Sequence, residues 1–423
     1  MPKTDKLSAA VHTLGCRVNQ YESGCVISEF INLGFTIKDF GEICDVYVIN
    51  TCTVTSGSDK KSKQMIRRAK KTNPDAVVAA CGCFTQNNPD VEADIVVGTA
   101  GKTKIPALAL GIINGSYAKY KSVEPISEYS EYENIHAYSS EKTRAYVKIQ
   151  DGCDAKCSYC VIPQVRGRVK SRAYEHIYAE VKRFNDLNYH EIVLTGIEIS
   201  SYKNGLIGLL ESLDGEKSLN NIKTIRLSSV DPSLIKKDFI DRLADLDKIA
   251  NHFHLSLQSG SNRILNSMRR KYNAETVIEN TAYAKEKIKG LNLTADIIVG
   301  FPGETDEDFE RTIAAVKFLD IYHAHVFAYS KRPGTDAADF SCQVPENIKN
   351  IRSKVITKTC GVNRENIHKN NMGKIFEVIA EDLYTAKTRN FMDVKIREQI
   401  LKGTLQKIQI INYNKNYLMG EKI

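Results

Sequence analysis

Residues 151–160 read DGCDAKCSYC, which sets Cys153, Cys157 and Cys160 at CxxxCxxC spacing directly after the strand-like stretch 145–150. Three thiolates this close in sequence can ligate three irons of a cubane cluster, and no fourth cysteine follows nearby to close the fourth iron. Iron-sulfur clusters normally take four thiolates, so an iron left open can be chelated by a small molecule carrying an amine and a carboxylate. The competing reading is structural zinc. Zinc wants four closed nitrogen or sulfur ligands, and the nearest histidine, His176, is remote in sequence. The spacing therefore favours the cluster.

On the C-terminal side of this loop the chain repeats strand then helix. Candidate strands are 145–149, 191–195, 224–227, 253–257, 294–299 and 325–329, with helical patterns at 173–187, 274–289 and 306–319 between them. Six strands with crossovers predict a partial parallel (β/α)6 barrel, whose chemistry sits at the carboxyl ends of its strands. Glu198, Ser228, Ser229, Gln258, Asp296 and Tyr329 are the polar residues found there, beside the cysteine loop. GFPGET (300–305) predicts a tight strand-to-helix turn with a helix start at Thr305. The basic run PQVRGRVKSR (163–172), just behind the loop, is a solvated face or a grip on phosphates.

On the N-terminal side, three apolar strand candidates each run into a cysteine: 11–14 before Cys16, 46–49 before Cys52, and 76–80 before Cys81 and Cys83. Helix-like stretches at 23–32 and 60–71 supply crossovers, which predicts parallel strands and a ligand site beyond their carboxyl ends. Cys16, Cys52 and either Cys81 or Cys83 then form a second thiolate triad. Asn19, Asn50 and Gln86 are candidate polar neighbours, and Cys25 and Cys44 are ordinary core cysteines. The fold class is α/β: an N-terminal parallel-sheet domain (1–115), a polar, tyrosine-rich connector (116–142), the central barrel (143–368) and a small C-terminal β-barrel (369–423), in which Tyr384, Phe391 and Tyr413 could stack on RNA bases.

Composition sets outer limits. The chain has 423 residues, 42% of them hydrophobic, enough for two to three cored domains. No apolar run spans a membrane and the N-terminus lacks a signal-peptide layout, so the expected location is cytoplasmic and the partners include no membrane. Eleven cysteines in such a chain point to reduced thiols with metal roles. A formal net charge of +8 suits a polyanion such as RNA without requiring one.

CDAKCSYC resembles the activating motif of radical S-adenosylmethionine (SAM) enzymes, and TLGCRVNQYES (13–23), NTCTVT (50–55), GCFTQ (82–86), IPQVRGRVKSR, LSLQSGSNRILNSMRRKY, DIIVGFPGET and VFAYSKRPGT together resemble the methylthiotransferases of that superfamily. The resemblance covers nearly the whole chain. It implies two [4Fe-4S] clusters, one on Cys153, Cys157 and Cys160 and a second on Cys16, Cys52 and Cys83, so it selects Cys83 over Cys81. It implies SAM bound near Tyr159, Glu198, Ser228 and Gln258, although Tyr159 could simply pack. It implies a C-terminal TRAM domain, a tRNA substrate, and an electron donor such as flavodoxin or ferredoxin. GCRVNQYES with NTCTVT is most similar to the branch that methylthiolates C2 of N6-threonylcarbamoyladenosine at position 37 of tRNA, through a 5′-deoxyadenosyl radical. The isopentenyladenosine branch and the ribosomal-protein branch are the near alternatives, and a non-catalytic iron-sulfur or zinc RNA-binding protein is the remote one. Phe84 and Thr85, where Tyr-Ala is commoner, and the extra Cys81 depart from the family pattern without removing a ligand.

Overall fold

The computed structural model describes residues 6–129, 131–137 and 143–423. Its N-terminal sheet has six strands in the order Thr36–Ile37, Ser8–Thr13, Val46–Thr51, Val77–Gly82, Ile95–Val97, Tyr120–Ser122, all parallel. The central strands read as unbroken apolar runs because both faces are buried. Ala9, Val48 and Ala79 face one layer of helices, while Ala10, Ile49 and Ala80 face the other. The last strand corrects the expectation of a coreless connector: Tyr120–Ser122 pairs with Ile95–Val97 as an edge strand. Residues 130 and 138–142 of that connector lie outside the described residues.

The central barrel has the six strand positions predicted. Thr224–Leu227, Glu191–Thr195 and Ala145–Lys148 form one parallel sheet, and Ser229–Val230, His252–Gln258, Asn292–Val299 and His323–Ala328 form another. The third strand breaks at Ser228 and resumes at Ser229, passing from one sheet to the next, so the two sheets make one curved wall. Helices including Tyr174–Asp186, Ala274–Lys287 and Asp306–Phe318 cover its outside over a core containing Phe184, Leu255 and Ile297. Thr305 caps the last of these helices in a reciprocal pair with Asp308. The helix Glu346–Lys369, for which no expectation was formed, buries Ile356 and Cys360 in the same core.

The C-terminal strands Ile375–Ala380, Thr385–Thr388, Asp393–Ile396, Leu418–Lys422 and Leu405–Tyr413 close into a five-stranded barrel. Phe391, one of three aromatics available for base stacking, is used inside the fold instead. At φ +71° it turns inward, stacks on His252 at 4.6 Å and lies beneath Arg226 at 5.0 Å, stoppering the amino end of the central barrel. Tyr384 remains exposed. No described helix is long and apolar enough to cross a membrane.

Candidate active site

Cys16, Cys52 and Cys83 lie just past the carboxyl ends of three adjacent strands. Two glycines make that approach possible. Gly15 has φ +93°, and a Cβ on it would lie 2.9 Å from the Cβ and Sγ of Cys52; Gly82 has φ +104°, and its Cβ would lie 2.6 Å from the Thr51 carbonyl oxygen. The Asn19 amide donates to the carbonyls of Leu14 (2.8 Å) and Thr51 (3.0 Å), tying the first two loops together. Burial raises the Cys52 thiol to about 11, with Cys83 and Cys16 adding to the rise. The three sulfurs are thus electrostatic neighbours. Cys81 faces the opposite way: fully buried against Val26 and Phe30, with its thiol pushed up to about 12 by burial.

The second triad sits in one loop at the mouth of the central barrel. Gly152 turns the chain at φ +70°, where a Cβ would lie 1.9 Å from the Arg168 carbonyl oxygen. The backbone N–H of Cys153 donates to the Gly167 carbonyl at 3.0 Å. Ser158 anchors the far side through its hydroxyl, which donates to the Ser267 carbonyl at 2.7 Å. Arg270, paired with Asp231, donates to Cys157 Sγ at 3.2 Å. Burial raises Cys153 to about 11 and Cys160 to about 12, and in both the neighbouring thiols contribute.

Both triads fit a cluster better than a single ion. A zinc–sulfur bond of about 2.3 Å places tetrahedral thiolates roughly 3.8 Å apart. Among the described residues, however, only His254, Asp296 and His325 bring three ligand atoms within 4.8 Å of one another. That tight group closes on itself: His254 Nε2 and His325 Nδ1 each lie 3.1 Å from Asp296 Oδ1. A cysteine ligates a metal as the thiolate, so either triad would release protons on taking up iron.

A buried ion network joins the two triads. Glu22, on the helix that Cys16 starts, pairs with Lys102, with Lys148 at 2.7 Å and with Arg166 at 2.6 Å. Burial alone would raise the Glu22 carboxyl, but Arg166, Lys102 and Lys148 together hold it well below the usual range. Arg166 also donates to Asn19 Oδ1 at 2.6 Å and, through Nε, to Cys83 Sγ at 3.3 Å. For Arg166 and Arg172 this corrects both readings of the basic run, as a solvated face and as a phosphate grip. Arg166 and Arg172 are fully buried, the latter paired with Glu180, and only Arg168 of the run's arginines is exposed. Gln86 likewise serves the backbone, accepting from the Thr99 N–H at 3.0 Å and donating to the Glu124 carbonyl at 2.9 Å.

Between the triads lies a cavity of about 200 Å³. Val54 and Thr55, just past Cys52, form one wall; Tyr159 and Cys160 form another; Gln258, Asp296 and Tyr329 reach it from the barrel strands. Tyr159 packs its ring perpendicular to Phe301 at 6.5 Å. Gln258 holds φ +59°, a backbone conformation that a non-glycine residue adopts only when its surroundings impose it. Glu198 and Ser228 do not line this cavity. Glu198 stands within electrostatic reach of Cys153, and its own carboxyl is raised by burial and by Asp231. Ser228 stands at the strand break, its buried hydroxyl without a partner among the described residues. Sequence reasoning missed Glu22, Lys102, Lys148 and Arg270. Arg270 lies within the LSLQSGSNRILNSMRRKY block, but nothing local marks it as a neighbour of Cys157.

A profile described as the radical SAM superfamily matches residues 147–316, and one described as uncharacterized protein family UPF0004 matches residues 8–98. Threonylcarbamoyladenosine tRNA methylthiotransferase MtaB of Bacillus subtilis is 37% identical over 98% of this chain and 96% of its own. The protein of the same name from Aquifex aeolicus is 36% identical over 92% and 96%. The tRNA-2-methylthio-N(6)-dimethylallyladenosine synthase of Finegoldia magna is 31% identical over 98% and 94%. Among solved structures, the radical SAM methyltransferase TsrM of Kitasatospora setae aligns with a TM-score of 0.58 at 15% identity, covering 79% of this chain and 77% of that one, a likeness of fold.

Proposed function

The chain belongs to the radical SAM methylthiotransferases that modify tRNA, and within that family we propose that it methylthiolates C2 of N6-threonylcarbamoyladenosine at position 37. The observation that supports a two-cluster reaction is the shared cavity: residues following Cys52 and residues of the CxxxCxxC loop face each other across one space of adenine-like size. Cys153, Cys157 and Cys160 would hold the cluster that binds SAM, and Cys16, Cys52 and Cys83 a second one. When bound, these groups supply the reductive cleavage, hydrogen abstraction and sulfur transfer that no side chain could.

The chain's own residues prepare that chemistry. Arg270 and Arg166 each place a guanidinium on a ligand sulfur, stabilising thiolate charge. Tyr159 and Gln258 would shape the cofactor side of the cavity. The C-terminal barrel would contact the tRNA outside the cavity, and a flavodoxin or ferredoxin would deliver the electron. The 37% and 36% identities to two threonylcarbamoyladenosine enzymes, against 31–33% to dimethylallyladenosine synthases, support the branch.

The test is mass analysis of tRNA nucleosides from cells with and without this gene. The expected result is loss of the methylthio form of threonylcarbamoyladenosine on deletion and its return with the wild type but not with Cys157→Ala. Loss of the methylthio group from the isopentenyl derivative instead, or from a ribosomal protein, would overturn the branch.

A further inference from the structure

We propose that the lower half of the barrel interior is an anion subsite, built by Arg17 and Arg226, that receives the carboxylate of the substrate's N6 substituent. This rests on the threonylcarbamoyladenosine reading and adds how that substituent is told from an apolar one. The subsite is a second cavity, of about 480 Å³, where all three domains meet: Arg17 comes from the N-terminal domain, Tyr146, Val193 and Arg226 from the barrel strands, and Lys402 and Phe391 from the C-terminal barrel.

Its cations outnumber its acids. Glu381 is the one carboxylate on the wall, and it is engaged by Arg144. Arg226 is 1% exposed. It donates from Nε to Glu191 at 2.5 Å and from one terminal nitrogen to the Arg389 carbonyl at 3.0 Å, but its other terminal nitrogen is buried with no partner among the described residues. Arg17 forms no ion pair within the same set. A buried guanidinium nitrogen with no acceptor is costly, and an incoming anion would satisfy that Arg226 nitrogen beside the half-buried Arg17, with the forked geometry a guanidinium offers a carboxylate.

The depth is right for this ligand. Tyr146 and Val193 stand two residues below Lys148 and Thr195, the last residues of their strands, hence about 7 Å below the mouth. An adenine held at the mouth would therefore set a carbamoyl-linked amino acid's carboxylate near Arg17, the residue next to Cys16. An isopentenyl group in the same place would leave the cations unanswered.

The experiment uses anaerobically reconstituted full-length enzyme and two anticodon stem-loops, one with threonylcarbamoyladenosine and one with its carboxylate converted to the primary amide. The amide should raise KM at least about tenfold with kcat little changed. Arg17→Gln should impose the same loss on the acid and abolish the distinction between acid and amide, while Arg17→Lys should restore most of it. Because Arg17 adjoins Cys16, iron and sulfide content and the electron paramagnetic resonance of the reduced clusters must match wild type in each variant. Wild type treating acid and amide alike, as it would if these cations held backbone phosphate, overturns the proposal. So does an Arg17→Gln variant that weakens both equally. If wild type turns over an isopentenyl stem-loop and not the threonylcarbamoyl one, the branch reading has failed first and the subsite falls with it.

Discussion

The two cysteine triads solve one problem in opposite ways. Cys153, Cys157 and Cys160 come from a single eight-residue span, so the chain must be bent around a centre it could not otherwise define, and distant residues such as Ser267 and Arg270 hold that bend. Cys16, Cys52 and Cys83 come from three strands already in register, and two positive-φ glycines suffice to bring them together. A local motif borrows its rigidity, whereas a dispersed one inherits it from the sheet. In both, one cysteine sulfur accepts from a guanidinium of another element: Cys157 from Arg270, Cys83 from Arg166.

The sharpest way to break this comparison is to delete one ligand from each side. Cys157→Ala should abolish reductive cleavage of SAM, a loss of at least about a thousandfold, measured as 5′-deoxyadenosine released. Cys83→Ala should leave that cleavage in place while methylthio product disappears. Equal loss of cleavage in both variants would mean that the triads do not divide the labour.

Next in size is the network between them. Glu22→Gln strands Lys102, Lys148 and Arg166 around a neutral amide and should cost about 3–5 kcal/mol in urea unfolding. Because the Glu22 carboxyl is depressed in the folded state, its contribution is complete above the unfolded carboxyl pKa of about 4.3 and is lost as pH falls below it. The variant should therefore lack part of the wild type's acid-dependent destabilisation.

A smaller effect separates the guanidiniums. If Cys16, Cys52 and Cys83 hold a cluster as proposed, Arg166→Gln should lower its midpoint potential without moving that of the cluster on the other triad, since a donor to Cys83 sulfur is lost; redox titration followed by electron paramagnetic resonance reads both. Smallest is Cys81→Ala. It removes a buried sulfur at a cost of about 1 kcal/mol and should leave iron content unchanged, whereas Cys83→Ala should lower it by about half.

The local triad, the six barrel strands and the GFPGET turn were legible because each is a short, bounded pattern. The choice between Cys81 and Cys83 was not legible from geometry. Strand alternation would put both on one face, and it is the φ of +104° at Gly82 that ends the strand and sends Cys83 elsewhere. The basic run was misread for a similar reason. A buried guanidinium and a solvated one are spelled alike, and the acid that buries Arg166 lies 144 residues away. Tyr120–Ser122 escaped notice because three half-polar edge residues carry no periodicity.

The Glu22 network also bears on the order in which the chain is made. When residues up to about 115 have emerged from the ribosome, Glu22 can already be met by Lys102, which also donates to Asn50 at 3.1 Å, so the first five strands can close over a paired carboxylate. Lys148, Asp151 and Arg166 arrive later and together, bringing two cations and one anion to a carboxylate already in place. Docking of the second domain thus brings the guanidinium of Arg166 to Glu22 and to the sulfur of Cys83 in one move. Closure of the second domain onto the first is thus a charge-matching step, in which the earlier-made half presents a buried carboxylate and the later-made half supplies the cations that complete its shell.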